Sequence, residues 1–126
     1  MDLGLKGKVA LIAGGSQGLG RAVALEMARE GAKVAICALD DPSLPESAQI
    51  IKKTTGVDIY TIPADVSKEE EARTFVRKSI EHYGTVDILV NNAGGPPSMT
   101  FLEIDDSLWY QGFRLNLLST IVMTRE

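Results

Sequence analysis

The feature that most constrains the fold is an apolar pentapeptide that runs directly into a glycine-rich segment. Residues 9–13 read Val-Ala-Leu-Ile-Ala, and residues 14–20 read Gly-Gly-Ser-Gln-Gly-Leu-Gly. The apolar run is typical of a strand that is buried on both faces, and the alanine-rich segment over residues 19–30 has the apolar spacing of a helix. A strand, a tight turn and a helix in immediate succession predict the start of a βαβ unit, in which a helical crossover joins two parallel strands.

The same alternation continues to the end of the chain. It predicts an α/β fold with a parallel sheet, built as one domain over residues 1–126. Serine followed by glutamate three residues later occurs at Ser43 and Glu46 and again at Ser67 and Glu70, and each pair predicts a capping box at a helix start. Strands are predicted over residues 8–13, 33–38, 59–62 and 86–90, and helices over 19–30, 43–56, 67–84 and 107–126.

Composition excludes several classes of function. The formal net charge of −4 gives no basic face for nucleic acid. No apolar run approaches the ~20 residues of a membrane span, and the N-terminus lacks the pattern of a signal peptide. Cys37 is the single cysteine and His82 the single histidine, so we expect no disulfide, no metal site and a reducing, cytoplasmic location.

The glycines at positions 14, 18 and 20 suit a phosphate-binding loop. A pyrophosphate must approach the backbone closely enough to accept from main-chain N–H groups, and the positive end of the following helix then faces it. The spacing is Gly-x-x-x-Gly-x-Gly, which differs from the general G-x-G-x-x-G fingerprint. The alternative is a tight turn that binds nothing.

Three further motifs follow in order. Asp65-Val66 comes after the third predicted strand, Asn91-Asn-Ala-Gly94 comes after the fourth, and Leu115-Asn-Leu-Leu118 lies in the last predicted helix. The first two lie at the carboxyl ends of strands, where open α/β sheets bind their ligands. With the glycine segment, these motifs make essentially the whole chain resemble the classical short-chain dehydrogenase/reductase family, and most closely its 3-oxoacyl-carrier-protein-reductase-like members.

The resemblance implies a Rossmann-like, doubly wound parallel sheet of strand order 3-2-1-4, incomplete relative to the full family fold. It implies that Asp65 accepts from the adenine amino group of the cofactor, and that Asn116, the one catalytic candidate, holds a water of the proton relay. The alternatives are a helix-starting role for Asp65 and a strand-capping role for Asn91. The residues expected to bind the cofactor lie in the glycine segment or at strand ends: Gly14, Ser16, Gln17, Gly18, Leu19, Gly20, Asp65, Val66, Asn91, Ala93 and Gly94.

The end of the second strand is where this family distinguishes NAD from NADP. An acid there bonds the ribose 2′-hydroxyl, whereas an arginine accommodates a 2′-phosphate. Ala38 and Leu39 occupy these two positions, and Gln17 stands where NADP users often carry a basic residue. Asp40 could reach a ribose hydroxyl or cap the loop before Pro42. We therefore expect NAD or NADP, with a slight preference for NAD because no basic residue is present.

The catalytic pair of the family is not found in this sequence. In the family, a Tyr-x-x-x-Lys pair supplies the proton that hydride transfer requires, and the lysine lowers the pKa of the tyrosine. Here Tyr60, Tyr83 and Tyr110 are followed four residues later by alanine, aspartate and arginine. We therefore expect the dinucleotide-binding part of an NAD(P)-dependent oxidoreductase of alcohols or ketones, truncated before the catalytic region and inactive alone.

Two surfaces are expected to seek partners. The fourth strand would form an exposed apolar edge, and the helix over residues 107–126 is apolar on nearly all sides, which predicts burial. In the family the equivalent helix builds a subunit interface, so the resemblance implies a homo-oligomer through this helix. Two other hypotheses stay open, a non-catalytic dinucleotide-binding sensor or regulatory module and a non-binding subunit that pairs through the last helix.

Overall fold

The computed structural model of the chain describes residues 1–39, 41–95 and 98–126. Strands and helices alternate as the sequence predicts. The strands are β1 (Val9–Ala13), β2 (Lys33–Ala38), β3 (Ile59–Pro63) and β4 (Ile88–Val90). The helices are α1 (Gly18–Arg29), α2 (Ser43–Thr55), α3 (Glu69–Tyr83), α4 (Asp106–Phe113) and α5 (Ser119–Arg125), with a 3₁₀ turn at Phe101–Glu103 and a π-helical turn at Arg114–Leu118.

The four strands form one parallel sheet. Its order is β3-β2-β1-β4, and each of the three strand pairs is parallel. The predicted fold class and strand order are therefore confirmed. Strand β4 pairs with β1 at one edge of the sheet and is shorter than predicted, with three residues in place of five.

Both faces of the sheet are covered by helices. Every residue of β1 is buried, because alternate side chains point to opposite faces and each face has its own core. Leu11 belongs to the core that includes Phe75 of α3 and Val122 of α5. Ile12 belongs to the opposite core, with residues of α1 and α2. The sheet is therefore doubly wound.

The two predicted capping boxes are not formed. Ser43 is the first residue of α2, and its N–H donates to Asp41 Oδ1 at 2.7 Å. In the same way, the Ser67 N–H donates to Asp65 Oδ1 at 3.0 Å before α3. An aspartate two residues earlier accepts from each serine, because its short side chain folds back onto the backbone as an Asx-turn.

The prediction of one buried helix over residues 107–126 is wrong in two respects, because the helix is interrupted and much of its surface is exposed. The π-helical turn separates α4 from α5, and the helix begins where the side chain of Asp105 accepts from the N–H of Leu108 at 2.9 Å. Only α5 contributes buried residues, and α4 has none. Several apolar side chains of this segment are about half exposed: Trp109, Phe113, Leu117 and Ile121.

Candidate functional site

A cleft of about 600 Å³ lies at the carboxyl ends of the four strands. Each strand is followed by residues that line it, which is the position where open parallel sheets bind ligands. The predicted site residues that the structure brings together there are Gly14, Ser16, Gln17, Gly18, Asp65, Val66, Ala93 and Gly94.

The glycine loop has the two properties that a phosphate-binding turn needs. Gly18 has a φ of +51°, and a Cβ added there would have no heavy atom within 4 Å, so the space beside the loop is open. A Cβ added to Gly20 would lie 2.0 Å from the carbonyl oxygen of Gly14. The loop is thus open toward the cleft and tightly packed beneath, where α1 approaches the end of β1.

The first turn of α1 directs backbone N–H groups toward the loop. The residue before this helix, Gln17, makes no side-chain capping hydrogen bond. The first N–H groups of a helix have no partner within the helix and carry a partial positive charge. This end of α1 therefore offers hydrogen-bond donors to an anion in the cleft.

Asp65 lies in the turn before α3 and also lines the cleft. Its Oδ1 accepts from the N–H and the hydroxyl of Ser67, at 3.0 and 2.6 Å. Its own N–H donates to Glu71 Oε2 at 2.7 Å, and this hydrogen bond, with those from Lys68, holds the pKa of Glu71 below its usual value. Asp65 therefore forms an Asx-turn before α3 and does not cap the helix, which begins at Glu69, and it also lies at the cleft.

Asn92 is a site residue that the sequence analysis missed. Its amide group donates to the carbonyl oxygens of Ala13 and Gly14, at 3.2 and 3.3 Å. It thereby ties the end of β4 to the glycine loop, 78 residues earlier. The asparagine pair that follows β4 was the available signal, because successive residues of an extended chain point to opposite sides and only one of the two can face the loop.

Three residues predicted to bind the cofactor do not line the cleft. Asn91 does not line the cleft, and its amide lies 3.3 Å from the hydroxyl of Thr124. Leu19 is exposed beside the cleft, and Gly20 is buried under the loop. Asp40 lies outside the described residues.

Asn116, the catalytic candidate, lies in the π-helical turn. Its amide donates to the carbonyl oxygen of Gly112 at 3.0 Å. It lines a second, apolar groove of about 590 Å³ along α4, together with Met99 and Trp109. π-Helical turns occur often at functional sites, since they displace a side chain from the regular helical position. Gln111, at the end of α4, and Leu115 do line the cleft at the strand ends, and neither was predicted.

The cleft is acidic where β2 ends. Leu39 is 60% exposed there, and Asp41 lies beside it at the cleft. Hydrogen bonds from the side chain and backbone of Ser43 lower the pKa of Asp41, so its carboxylate is charged at neutral pH. Among the described residues that line the cleft, the charged ones are the acidic Asp41 and Asp65, and no lysine or arginine is present.

Cys37 forms part of the cleft floor at the end of β2. Its side chain is fully buried, and this burial raises the pKa of the thiol to about 12. A protonated, buried thiol is a poor nucleophile, so Cys37 acts as a small apolar side chain in the core.

Comparison with known proteins assigns the family. Residues 8–126 match the family model described as short chain dehydrogenase. An uncharacterized oxidoreductase of Bacillus subtilis is 39% identical over 97% of this chain and 43% of its own length.

In the described part of the chain, no helix combines the length and the apolar character that crossing a membrane requires.

Solved structures agree with this assignment. The L-sorbose reductase of Gluconobacter frateurii, solved with NADPH and L-sorbose, superposes with a TM-score of 0.93 at 35% identity, over 99% of this chain and 48% of that one. The NADH-dependent reductase A1-R′, solved with NAD, superposes with a TM-score of 0.88 at 34% identity, over 99% and 52%. This chain therefore spans about half the length of the proteins it matches, and it belongs to the short-chain dehydrogenase family.

Proposed function

We propose that this chain binds a nicotinamide dinucleotide in the cleft at the carboxyl ends of the strands, as part of an oxidoreductase that interconverts an alcohol and a ketone. The observation that carries the proposal is the glycine loop, which has open space beside Gly18 and close backbone packing at Gly20. The pyrophosphate would lie at the first turn of α1, and Asp65 and Val66 would hold the adenine. When bound, the nicotinamide supplies hydride transfer at C4. Since the relatives are about twice as long, activity is proposed for the whole protein and cofactor binding for this chain.

The fit of the cofactor rests on the shape and the donors of the cleft. A volume of about 600 Å³ is within the range of ligand pockets of cofactor size. The helix N-terminus and the open space beside Gly18 suit a pyrophosphate, because the donors are backbone N–H groups that no side chain covers. Asn116 would hold a water of the proton relay, at the wall of the adjoining groove.

Calorimetric titration with NADH and NADPH tests binding directly. We expect heat of binding with at least one of them, and we expect Gly18→Val to abolish it with little loss of helix content. The matched control is Gly56→Val, because Gly56 also has a positive φ and open space around it but lies at the far end of α2. Absence of heat with both cofactors at millimolar concentration would overturn the proposal.

NAD is the better match to the charges at the ribose end of the cleft. A 2′-phosphate would be placed beside the carboxylate of Asp41, with no basic residue among the described lining residues to accept it. We expect NADH to bind more tightly than NADPH, and Leu39→Arg to narrow or reverse the difference. Ile50→Arg makes the same charge change on the exposed face of α2, outside the cleft. It should leave the ratio of the NADH and NADPH affinities unchanged. Equal affinities in the wild-type chain would contradict the preference.

Self-association through the last helix is proposed from its surface. Trp109, Phe113, Leu117 and Ile121 are spaced four residues apart, and all are about half exposed. Exposed apolar patches of this kind mark interaction surfaces. Sedimentation of the purified chain should show an oligomer that Phe113→Asp dissociates, and a monomeric wild-type chain would refute this part of the proposal.

A further inference from the structure

A polar residue occupies a core position in α2. The buried residues of this helix are Leu44, Ser47 and Ile51, and their spacing of three and four residues places them on one face. Apolar residues are the usual occupants of such positions. Because Ser47 is fully buried, its hydroxyl needs a hydrogen-bond partner within the protein.

That partner belongs to the glycine loop. The hydroxyl of Ser47 donates to the carbonyl oxygen of Ser16 at 2.5 Å, across 31 residues of sequence. A serine inside a helix commonly donates instead to the carbonyl four residues earlier. Ser79 of α3, which is also fully buried, does so with Phe75 at 2.8 Å. Ser47 therefore bonds a different segment of the protein, and Ser79 bonds only its own helix.

The hydrogen bond fixes one peptide unit of the loop. The bond between Ser16 and Gln17 is trans, so its C=O and N–H groups point in opposite directions. With the Ser16 carbonyl held toward α2, the N–H of Gln17 must point away from α2. Gln17 and Gly18 both line the cleft, so this orientation belongs to the part of the loop where an anion would lie.

We infer that Ser47 is a positioning residue for the dinucleotide, which it never contacts. By holding the Ser16 carbonyl, it keeps the glycine loop in the conformation that binds a pyrophosphate. Without this hydrogen bond the loop samples other conformations, and the apparent affinity falls with the fraction of competent molecules. The inference rests on the proposed function for its ligand, whereas the anchoring of the loop stands on the contact itself.

The variant Ser47→Ala tests this role, with Ser79→Ala as the matched control. Both remove a buried serine hydroxyl from a helix. We expect Ser47→Ala to weaken NADH binding by about five- to tenfold, the effect of losing one buried hydrogen bond, and Ser79→Ala to leave it unchanged. Ser47→Cys keeps an unbranched side chain with a weaker donor, so its affinity for NADH should lie between those of Ser47→Ala and the wild-type chain. Circular dichroism checks that all variants are folded.

Hydrogen exchange of residues 14–20 in the ligand-free chain separates this inference from the proposed function. We expect faster exchange of this segment in Ser47→Ala and no change in Ser79→Ala. Unchanged exchange in Ser47→Ala, or an equal loss of NADH affinity in both variants, would overturn the inference. If the wild-type chain bound no cofactor while Ser47→Ala still loosened the loop, the proposed function would fail and the anchor would be supported.

Discussion

The region before residue 95 and the region after residue 98 differ in how they use their apolar side chains. In the first, β1 and β2 lie between helices, and the large side chains Phe75, Leu11 and Ile36 are fully buried. In the second, α4 has no buried residue, and its aromatic side chains are between half and two-thirds exposed. The first region therefore contains most of the hydrophobic core, whereas the second presents an apolar surface that is exposed to solvent.

This contrast explains where the site lies. Most residues that line the cleft follow the strands of the packed region, and only Gln111 and Leu115 come from the segment after residue 98. A cleft that must hold a ligand in one geometry needs rigid walls, which a packed sheet supplies. The segment after residue 98 supplies Gln111 and Leu115 to one side of the cleft. It also forms the separate apolar groove that Asn116 lines.

Replacing two phenylalanines by alanine should give the largest difference between the regions. Phe75 is fully buried and Phe113 is 52% exposed. We expect Phe75→Ala to lower the free energy of unfolding by about 3–5 kcal/mol, since it leaves a cavity in the core. Phe113→Ala should cost less than about 0.5 kcal/mol in the monomer. Denaturant unfolding measures both, and equal losses would mean that the last helix is as well packed as the sheet.

A methyl group under the glycine loop should have the next largest effect. The Cβ of Gly20→Ala would lie 2.0 Å from a backbone oxygen, whereas that of Gly112→Ala in α4 would meet no heavy atom within 4 Å. We expect Gly20→Ala to cost about 1–3 kcal/mol of stability and to remove measurable NADH binding, because the loop must shift. Gly112→Ala should preserve binding. Thermal unfolding and calorimetry test the pair, and intact binding in Gly20→Ala would show that the loop tolerates displacement.

Alkaline pH should weaken the packed region through Cys37. Burial raises the pKa of this thiol to about 12, above its value of about 8.5 in an unfolded chain. Between these values the folded chain binds more protons than the unfolded chain, so stability is complete below pH 8.5 and declines as the pH rises toward 12. Cys37→Ala should flatten this decline in denaturant unfolding at several pH values. A wild-type profile identical to that of the variant would contradict the burial of the thiol.

The smallest effect is expected where the exposed region begins. The side chain of Asp105 accepts from the N–H of Leu108, and Asp105→Ala should cost about 1 kcal/mol as the loss of a helix cap. Because α4 has no buried residue, the loss should appear as local fraying, with faster hydrogen exchange in α4 and unchanged exchange in β1. Asp105→Asn should restore most of the protection. Faster exchange throughout the sheet would show that the two regions unfold together.

The sequence predicted the sheet well because each strand is a short, mostly apolar run with glycine, aspartate or asparagine close to its ends. Periodicity and turn chemistry act locally, so β1 and β2 were accessible from them, as were the loop position of Gly18 and the strand-end position of Asp65. The order of the strands came from the resemblance to the family. The capping boxes predicted at Ser43 and Ser67 were wrong because the aspartates two residues earlier accept from the N–H groups of these serines. Ser47 and Asn92 were missed, since their hydrogen bonds join segments that are 31 and 78 residues apart.

Asn92 also sets the order in which the site can assemble. The glycine loop lies within the first twenty residues of the chain, yet its carbonyl groups are bonded by Ser47 and by Asn92. Since contacts so distant in sequence carry a high loop-closure entropy, we expect them to form late in folding. During synthesis, which proceeds from the N-terminus, the loop therefore emerges long before its anchors. We therefore expect the earliest segment of the site to be made to be among the last to reach its final conformation.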